Sequence, residues 1–135
     1  MAMEWQPSPR ALTAAERRLL DHLVAFADSP ELTAQAAAAS VSAVCSCGCS
    51  SIQLTSDGPN VPAATIARLS PYERDDYVGI GVARPDDHAT SGFVHILQVV
   101  VHVGGGRLLE LEIYHGQGEA VPVPDPASLP DIQVI

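Results

Sequence analysis

The chain has 135 residues, 47% of them hydrophobic and 17% charged, with a formal net charge of -9. That size and apolar content suit one globular domain that buries its core without disulfide staples. Sixteen acidic residues against seven basic ones argue against nucleic acid and anionic membranes as partners, because phosphate binding requires basic side chains.

Residues 1–11 are predicted to form an N-terminal arm, because Pro7 and Pro9 favour an extended chain. This stretch has neither the basic nor the apolar segment of a secretory signal peptide. No apolar run in the chain reaches the roughly 20 residues that span a bilayer. We therefore expect a cytosolic protein whose three cysteines stay reduced.

Two helix start signals follow the arm. Thr13 and Glu16 fit a capping box, in which each side chain binds the backbone amide of the other residue. This signal predicts a helix to about Ala27. Ser29 and Pro30 predict a second helix, with serine as the cap and proline at the first helical position. The apolar face of the first helix is predicted to consist of Leu19, Leu20, Leu23 and Phe26 or Ala27.

From Ser40 the apolar period changes from helical to alternating, which predicts a hairpin. Its first strand is expected to place Cys45 and Cys47 on one face, before a turn at Gly48. The segment from Thr65 to Leu69 fits either a short helix or a strand fragment. A later strand alternates apolar residues with glycine or alanine, so something is expected to cover it closely; these residues are Val78, Ile80 and Val82 with Gly79, Gly81 and Ala83.

The segment 93–115 is predicted to be the central hairpin of the fold, because two apolar β-branched runs flank three glycines. With Gly104–Gly106 as the loop, Val103 would lie opposite Arg107. The same register pairs Val99 with Leu111, Leu97 with Ile113 and His95 with His115, and it turns Leu109, Leu111 and Ile113 toward the core.

The sequence as a whole predicts an α+β domain. Two N-terminal helices are expected to pack on an antiparallel sheet of about five strands. The domain is expected to cover residues 12–135, and its last part, 116–135, has four prolines and is predicted to lie extended on the body or at a sheet edge.

Cys45, Cys47 and Cys49 are the candidate metal ligands, because three thiols within five residues can bind zinc or copper(I), with a histidine as a fourth ligand. The spacing differs from that of common structural zinc sites, which use two separate cysteine pairs. The alternative is that the thiols act as small buried hydrophobes, in which case no cofactor is present.

His95 and His115 are the second candidate pair, because the predicted register makes them neighbours at the open end of the hairpin. If the cysteines lie over that end, the five residues would form a mixed sulfur and nitrogen site for zinc. Glu110 and Glu112 share the outward face of their strand and are interpreted as solvated carboxylates.

Three segments carry a resemblance to other proteins: Cys45-Ser-Cys-Gly-Cys-Ser-Ser-Ile52, Gly106-Arg-Leu-Leu-Glu-Leu-Glu-Ile-Tyr114 and Pro122-Val-Pro-Asp-Pro-Ala-Ser-Leu129. The chain resembles a group of small uncharacterised actinobacterial proteins over most of residues 12–129. The resemblance implies a helical start, a Cys-Gly-Cys turn and a Gly-Arg-Leu hairpin, and it implies no activity.

These observations lead to three hypotheses about function. The first is a non-enzymatic cytosolic module that binds another protein, or itself, through a sheet face or edge, with an acidic surface. The second is a metal-binding protein that uses the cysteine turn with a histidine. The third is a small enzyme with a cysteine nucleophile. No catalytic residue can be assigned from the sequence.

Overall fold

Seven antiparallel strands form one sheet in the part of the chain that can be described. The computed structural model describes residues 4–70, 76–85, 96–115 and 122–135, apart from the side chain of His115. The strands are β1 (Trp5–Arg10), β2 (Ser40–Cys45), β3 (Ile52–Thr55), β4 (Tyr77–Pro85), β5 (Ile96–Gly104), β6 (Arg107–His115) and β7 (Gln133–Val134). The helices are α1 (Ala14–Ala25), α2 (Pro30–Ala37) and α3 (Ala63–Leu69), and Pro126–Ser128 form a 3-10 turn.

The strand order across the sheet is β1-β2-β3-β6-β5-β4-β7. The predicted α+β class is confirmed, and the hairpin of β5 and β6 is central. The expected number of about five strands is too low, because the N-terminal arm and the C-terminal tail each supply an edge strand. The segment from Thr65 to Leu69, which fitted either a short helix or a strand fragment, belongs to α3. None of the described helices has the length and apolarity needed to cross a membrane.

Both predicted helix starts are confirmed. The Thr13 hydroxyl accepts a hydrogen bond from the Glu16 amide at 3.1 Å, and the Glu16 carboxylate accepts one from the Thr13 amide at 2.8 Å. Ser29 caps α2 by accepting from the Leu32 amide, and Pro30 is its first residue. Because these signals act between residues within one helical turn, no tertiary contact is needed to set them.

The turn of the central hairpin has two residues and not three. Gly105 and Gly106 have φ angles of +57° and +78°, and Gly104 pairs with Arg107. Positive φ at both turn positions matches the twist of the flanking strands. Gly104 therefore belongs to β5, and the prediction that Val103 faces Arg107 is wrong.

A β-bulge beyond this turn changes the register again. His102 pairs with Glu110 and Val103 with Leu108, which leaves Leu109 as an extra residue in β6. The extra residue turns outward, so Leu109 is 46% exposed while Leu108 is 3% exposed. The predicted burial of Leu109 is therefore wrong.

The two changes displace the predicted pairs by two residues. Val99 lies opposite Ile113, where Leu111 was predicted, and Val101 takes Leu111 as its partner. Because the displacement is even, the faces keep their assignment, and Leu111 and Ile113 are both fully buried as predicted.

The main core lies between α1, α2 and one face of the sheet. Its side chains are apolar and almost fully buried, and they include Leu19, Leu20, Leu23, Leu32, Val99, Val101, Leu111 and Ile113. The opposite face of β5 and β6 carries polar side chains, so the sheet presents a separate surface there.

Glu16 connects the arm to α1 and should make the fold sensitive to acid. The carboxylate is 4% exposed, and both its oxygens accept from the Arg10 guanidinium of β1, at 2.8 and 2.9 Å. Burial by itself raises the pKa of Glu16, but the hydrogen bonds from Arg10 and Thr13 outweigh it and hold that pKa below its ordinary value. A carboxyl whose pKa is lower in the folded state stabilises the fold above the unfolded pKa, and that stabilisation is lost as the pH falls.

We expect Glu16→Gln to lower the free energy of unfolding by about 2 kcal/mol at pH 7, because two charge-assisted hydrogen bonds are weakened. The variant should also lose less stability than the parent protein when the pH falls below about 4.3. Urea unfolding at pH 7, 5 and 3 measures both effects. Asp21→Asn is the control, because it removes an ion pair with Arg17 that is more exposed than the pair of Arg10 with Glu16. We expect it to change the free energy of unfolding by no more than about 0.5 kcal/mol.

Candidate functional site

The three cysteines lie where β2 ends and turns back toward β3. Cys45 is the last residue of β2, and Gly48 has a φ of +89°, a conformation that favours glycine. The Ser46 amide donates to the Glu4 carbonyl at 2.8 Å, which ties the turn to the chain before β1. The prediction that Cys47 shares a strand face with Cys45 is wrong, because the strand has ended. We call residues 45–51 the cysteine turn.

The turn brings the three sulfur atoms together. Each Sγ lies within 4.8 Å of the other two. The Sγ atoms of Cys45 and Cys47 are 2.9 Å apart, and the Cys49 amide donates to the Cys47 Sγ at 3.4 Å. The shortest separation is well above the disulfide bond length of about 2.05 Å, and all three thiols are free.

The thiols differ in exposure and in acidity. Cys45 and Cys49 are buried, whereas Cys47 is exposed. Burial, together with the hydrogen bond to Cys47, raises the pKa of Cys45 to about 12. The hydrogen bonds that Cys47 receives from Cys45 and from the Cys49 amide lower the pKa of Cys47. Of the pair Cys45 and Cys47, Cys47 is therefore the more acidic thiol, with Cys45 as the donor to its sulfur.

The three sulfur atoms lie close enough together to share one metal ion. Three thiolates about 2.3 Å from one ion in tetrahedral geometry lie about 3.8 Å from each other. The Cys45 and Cys47 sulfur atoms, 2.9 Å apart, would have to separate by about 0.9 Å, and the other two separations are below 4.8 Å. In the part of the chain that the structure describes, no histidine or carboxylate completes this group.

The two histidines predicted as further ligands have side chains outside the described part of the chain. The backbone of His115 lies opposite Leu97 in the sheet, so the predicted pairing with His95 is wrong. His95 lies outside the described residues. The combination of both histidines with Cys45, Cys47 and Cys49 therefore stays a prediction.

A cavity of about 180 Å³ opens beside the cysteine turn. Cys49, Ser51, Arg10 and Val123 are among the residues that line it. The cavity gives a small exogenous ligand room next to one of the buried thiols.

A second group of side chains lies on the polar face of the central hairpin. His102 on β5 lies opposite Glu110 on β6, and its Nε2 is 3.0 Å from the Oε1 of Glu112. The Tyr77 hydroxyl is hydrogen-bonded to the His102 Nδ1. One donor atom from each of His102, Glu110 and Glu112 lies within 4.8 Å of the others. We call these three residues the His-Glu cluster.

The two glutamates lie on the predicted outward face of β6, where they are only partly exposed. Burial raises the pKa of Glu110; the charge of nearby His102 opposes this effect, and the charge of Glu112 adds to it. His102 was not among the residues predicted to be functional. The alternating pattern does indicate that His102 and both glutamates face outward. It does not indicate that His102 lies opposite Glu110, because that pairing depends on the bulge at Leu109.

Comparison with known proteins gives no relative. No family model, no curated protein and no solved structure matches the chain.

Proposed function

We propose that the protein binds one soft metal ion through the thiolates of Cys45, Cys47 and Cys49. The convergence of three sulfur atoms within 4.8 Å supports this proposal most strongly. Free cysteines that act only as buried hydrophobes have no need to point their sulfurs at one another. Copper(I) and zinc are the ions that thiolates select.

The number of ligands bears on which ion is bound. Structural zinc sites are almost always four-coordinate, so zinc would need a fourth ligand besides the three thiolates. The cavity beside Cys49 could admit an exogenous one. Copper(I) is also a favoured ion for a site made only of soft thiolates.

The exposure of Cys47 indicates that the ion would be exchangeable. A ligand from solvent or from a partner can approach the metal on the side of this thiolate, whereas the buried Cys45 and Cys49 hold it from the other side. The hydrogen bonds from Cys45 and the Cys49 amide also lower the pKa of Cys47, which favours its thiolate, the form that binds metal.

Metal analysis of the untagged full chain tests the proposal. We expect about one copper(I) ion per chain after anaerobic, reduced protein is loaded with that metal and freed of excess, and about one more zinc ion per chain than a variant with all three cysteines changed to serine binds. Cys47→Ser should lower the affinity by about 100-fold or more, because loss of a ligand should cost at least as much as loss of its supporting hydrogen bonds. Ser46→Ala, an exposed change in the same turn, should leave the affinity unchanged. Less than about 0.1 copper(I) ion per chain, together with zinc binding equal to that of the serine variant, would reject the proposal.

Binding to a protein partner is the second candidate, and it stays a prediction. The net charge of -9 favours a basic partner. Strand addition at β1 is hindered, since Pro7 and Pro9 remove two amide donors from that edge strand. The opposite edge, β7, has only two residues. A partner would therefore have to use a face or a loop more than a sheet edge.

A cysteine-dependent enzyme is not favoured by the described contacts. Cys47 has the exposure and the lowered pKa of a reactive thiol. Within the described ranges, however, no histidine joins the three sulfur atoms. The hydrogen-bond partners of Cys47 are the other cysteines, which suits a shared ion better than a nucleophile and base pair.

A further inference from the structure

We propose that the His-Glu cluster is a second metal site, which takes a divalent first-row transition ion through the His102 Nε2 and the carboxylates of Glu110 and Glu112. The site is independent of the cysteine turn, so neither proposal depends on the other.

Rigid strands fix the three ligands. His102 and Glu110 are directly paired across β5 and β6, and Glu112 projects from the same face of β6 two residues further on. All three belong to the central hairpin, so no loop has to close to bring them together. Their donor atoms already lie within 4.8 Å of one another, and a small ion between them would need only side-chain rotations.

The charge balance favours a cation. Two carboxylates share a half-buried surface with one imidazole, and His102 and Glu112 have side chains that are only 23% and 20% exposed. Among the described residues, no arginine forms an ion pair with Glu110 or Glu112. A divalent ion would neutralise both carboxylates where water can screen them only in part.

Tyr77 orients the imidazole. Its hydroxyl occupies the Nδ1 side of His102, with the two rings 5.7 Å apart between centroids, so the Nε2 side points at the carboxylates. When Nδ1 carries the proton and donates to the tyrosine oxygen, Nε2 presents a free lone pair. A metal-bound histidine is typically held by such a hydrogen bond from its other ring nitrogen.

Room for this tyrosine comes from Gly79. The glycine lies opposite His102 on β4, and a Cβ built there would be 3.2 Å from the Tyr77 hydroxyl oxygen. The absence of a side chain at position 79 therefore lets the hydroxyl reach His102.

The donor set selects the class of ion. One imidazole nitrogen and two carboxylates suit manganese, iron, cobalt or zinc in the divalent state, whereas copper(I) prefers thiolates and calcium prefers oxygen ligands alone. Manganese(II) is the sharpest probe, because it has little affinity for thiolates and its free form is counted directly by electron paramagnetic resonance.

The test uses the full chain with Cys45, Cys47 and Cys49 all changed to serine, which removes the thiols. We expect this background protein to bind about one manganese(II) ion, and zinc to displace it, as the order of divalent affinities requires. Glu112→Gln and His102→Ala should each lower the affinity by about 10-fold or more. His22→Ala, which removes an imidazole on α1, should leave the affinity unchanged.

Tyr77→Phe separates the positioning role from ligation. It should weaken manganese binding by about 10- to 100-fold while about one ion per chain still binds at saturation. Circular dichroism establishes that each variant folds, and if His102→Ala does not fold, Glu110→Gln and Glu112→Gln complete the test. Absence of manganese binding, or binding that the glutamine variants do not weaken, would mean that the cluster is only a hydrogen-bonded pair on the sheet surface.

Discussion

Gly81→Ala should remove most of the stability of the protein. A Cβ built at Gly81 lies 1.9 Å from the Val99 carbonyl oxygen and 2.8 Å from the Val100 Cα. Both atoms belong to the backbone of β5, which pairs with β4 along its whole length. The added carbon can be accommodated only if the two strands separate, which breaks hydrogen bonds in the middle of the sheet. We expect the free energy of unfolding to fall by about 4 kcal/mol or more.

Gly79→Ala is the matched control, since it lies two residues away on the same strand. Its Cβ would be 3.2 Å from both the Tyr77 hydroxyl oxygen and the Val100 Cγ1. These atoms end side chains that can move by a few tenths of an ångström, so we expect a loss of about 1 kcal/mol. Urea unfolding followed by circular dichroism compares the two. Equal midpoints for the two variants would show that the strands do not approach closely at Gly81.

The sequence predicted that β4 is closely covered, and the structure confirms it. The prediction came from the small residues that alternate with Val78, Ile80 and Val82. A glycine inside a strand loses side-chain packing, so it often marks a position that another group approaches closely. The identity of the covering atoms was not predictable. At Gly81 it is the neighbouring backbone, and at Gly79 it is the Tyr77 hydroxyl and a Val100 methyl group, with the Ile135 carbonyl slightly farther away.

The local signals of the chain predicted its helices well. The caps at Thr13 and Ser29 depend on residues three positions apart at most, so the sequence contains all of the interaction. The two edge strands, β1 and β7, were harder to predict. Residues 5–10 and 133–134 become strands only because β2 and β4 offer them free edges, and that opportunity depends on the completed sheet.

The length of the turn in the central hairpin decides which residues pair along β5 and β6, and the sequence does not determine that length. Three glycines allow several turn lengths, and only the φ angles of Gly105 and Gly106 identify the two-residue turn. The bulge at Leu109 then adds a second displacement. Alternation alone still predicted the buried faces, because two single-residue displacements together preserve the period of two.

The two candidate sites also differ in whether they depend on local or on distant contacts. The three thiols are close in sequence, so their proximity at a turn was predictable, whereas the burial of Cys45 and the exposure of Cys47 depend on where β2 ends. The His-Glu cluster joins two strands, so it became visible only when His102 was paired with Glu110.

Gln35 is a buried polar residue that no pattern in the sequence indicates. Its replacement should cause the second large loss of stability. It lies among alanines in α2 and is fully buried. Its Nε2 donates to the carbonyls of Pro59 and Gly106 at 2.8 and 2.6 Å, and its Oε1 accepts from the Leu108 amide at 2.9 Å. One side chain thus joins a helix, a loop and the turn of the central hairpin.

We expect Gln35→Leu to lower the free energy of unfolding by about 3 kcal/mol, because the buried Leu108 amide loses its partner and a leucine of similar size offers none. Gly106 would keep the hydrogen bond that its carbonyl accepts from the Val61 amide, so the turn itself should persist. Amide hydrogen exchange should therefore report faster exchange at Leu108 before any change at Val61.

Gln6→Leu makes the same chemical change at an exposed position of β1 and should alter stability by no more than about 0.5 kcal/mol. A Leu108 amide that stays as protected in Gln35→Leu as in the parent protein would contradict the assigned hydrogen bond. If protection is lost as expected, the Gln35 amide is what ties the turn end of the hairpin that carries the His-Glu cluster to α2. In that case Gln35→Leu should also weaken manganese binding in the cysteine-free background, although Gln35 lies on the other face of the sheet.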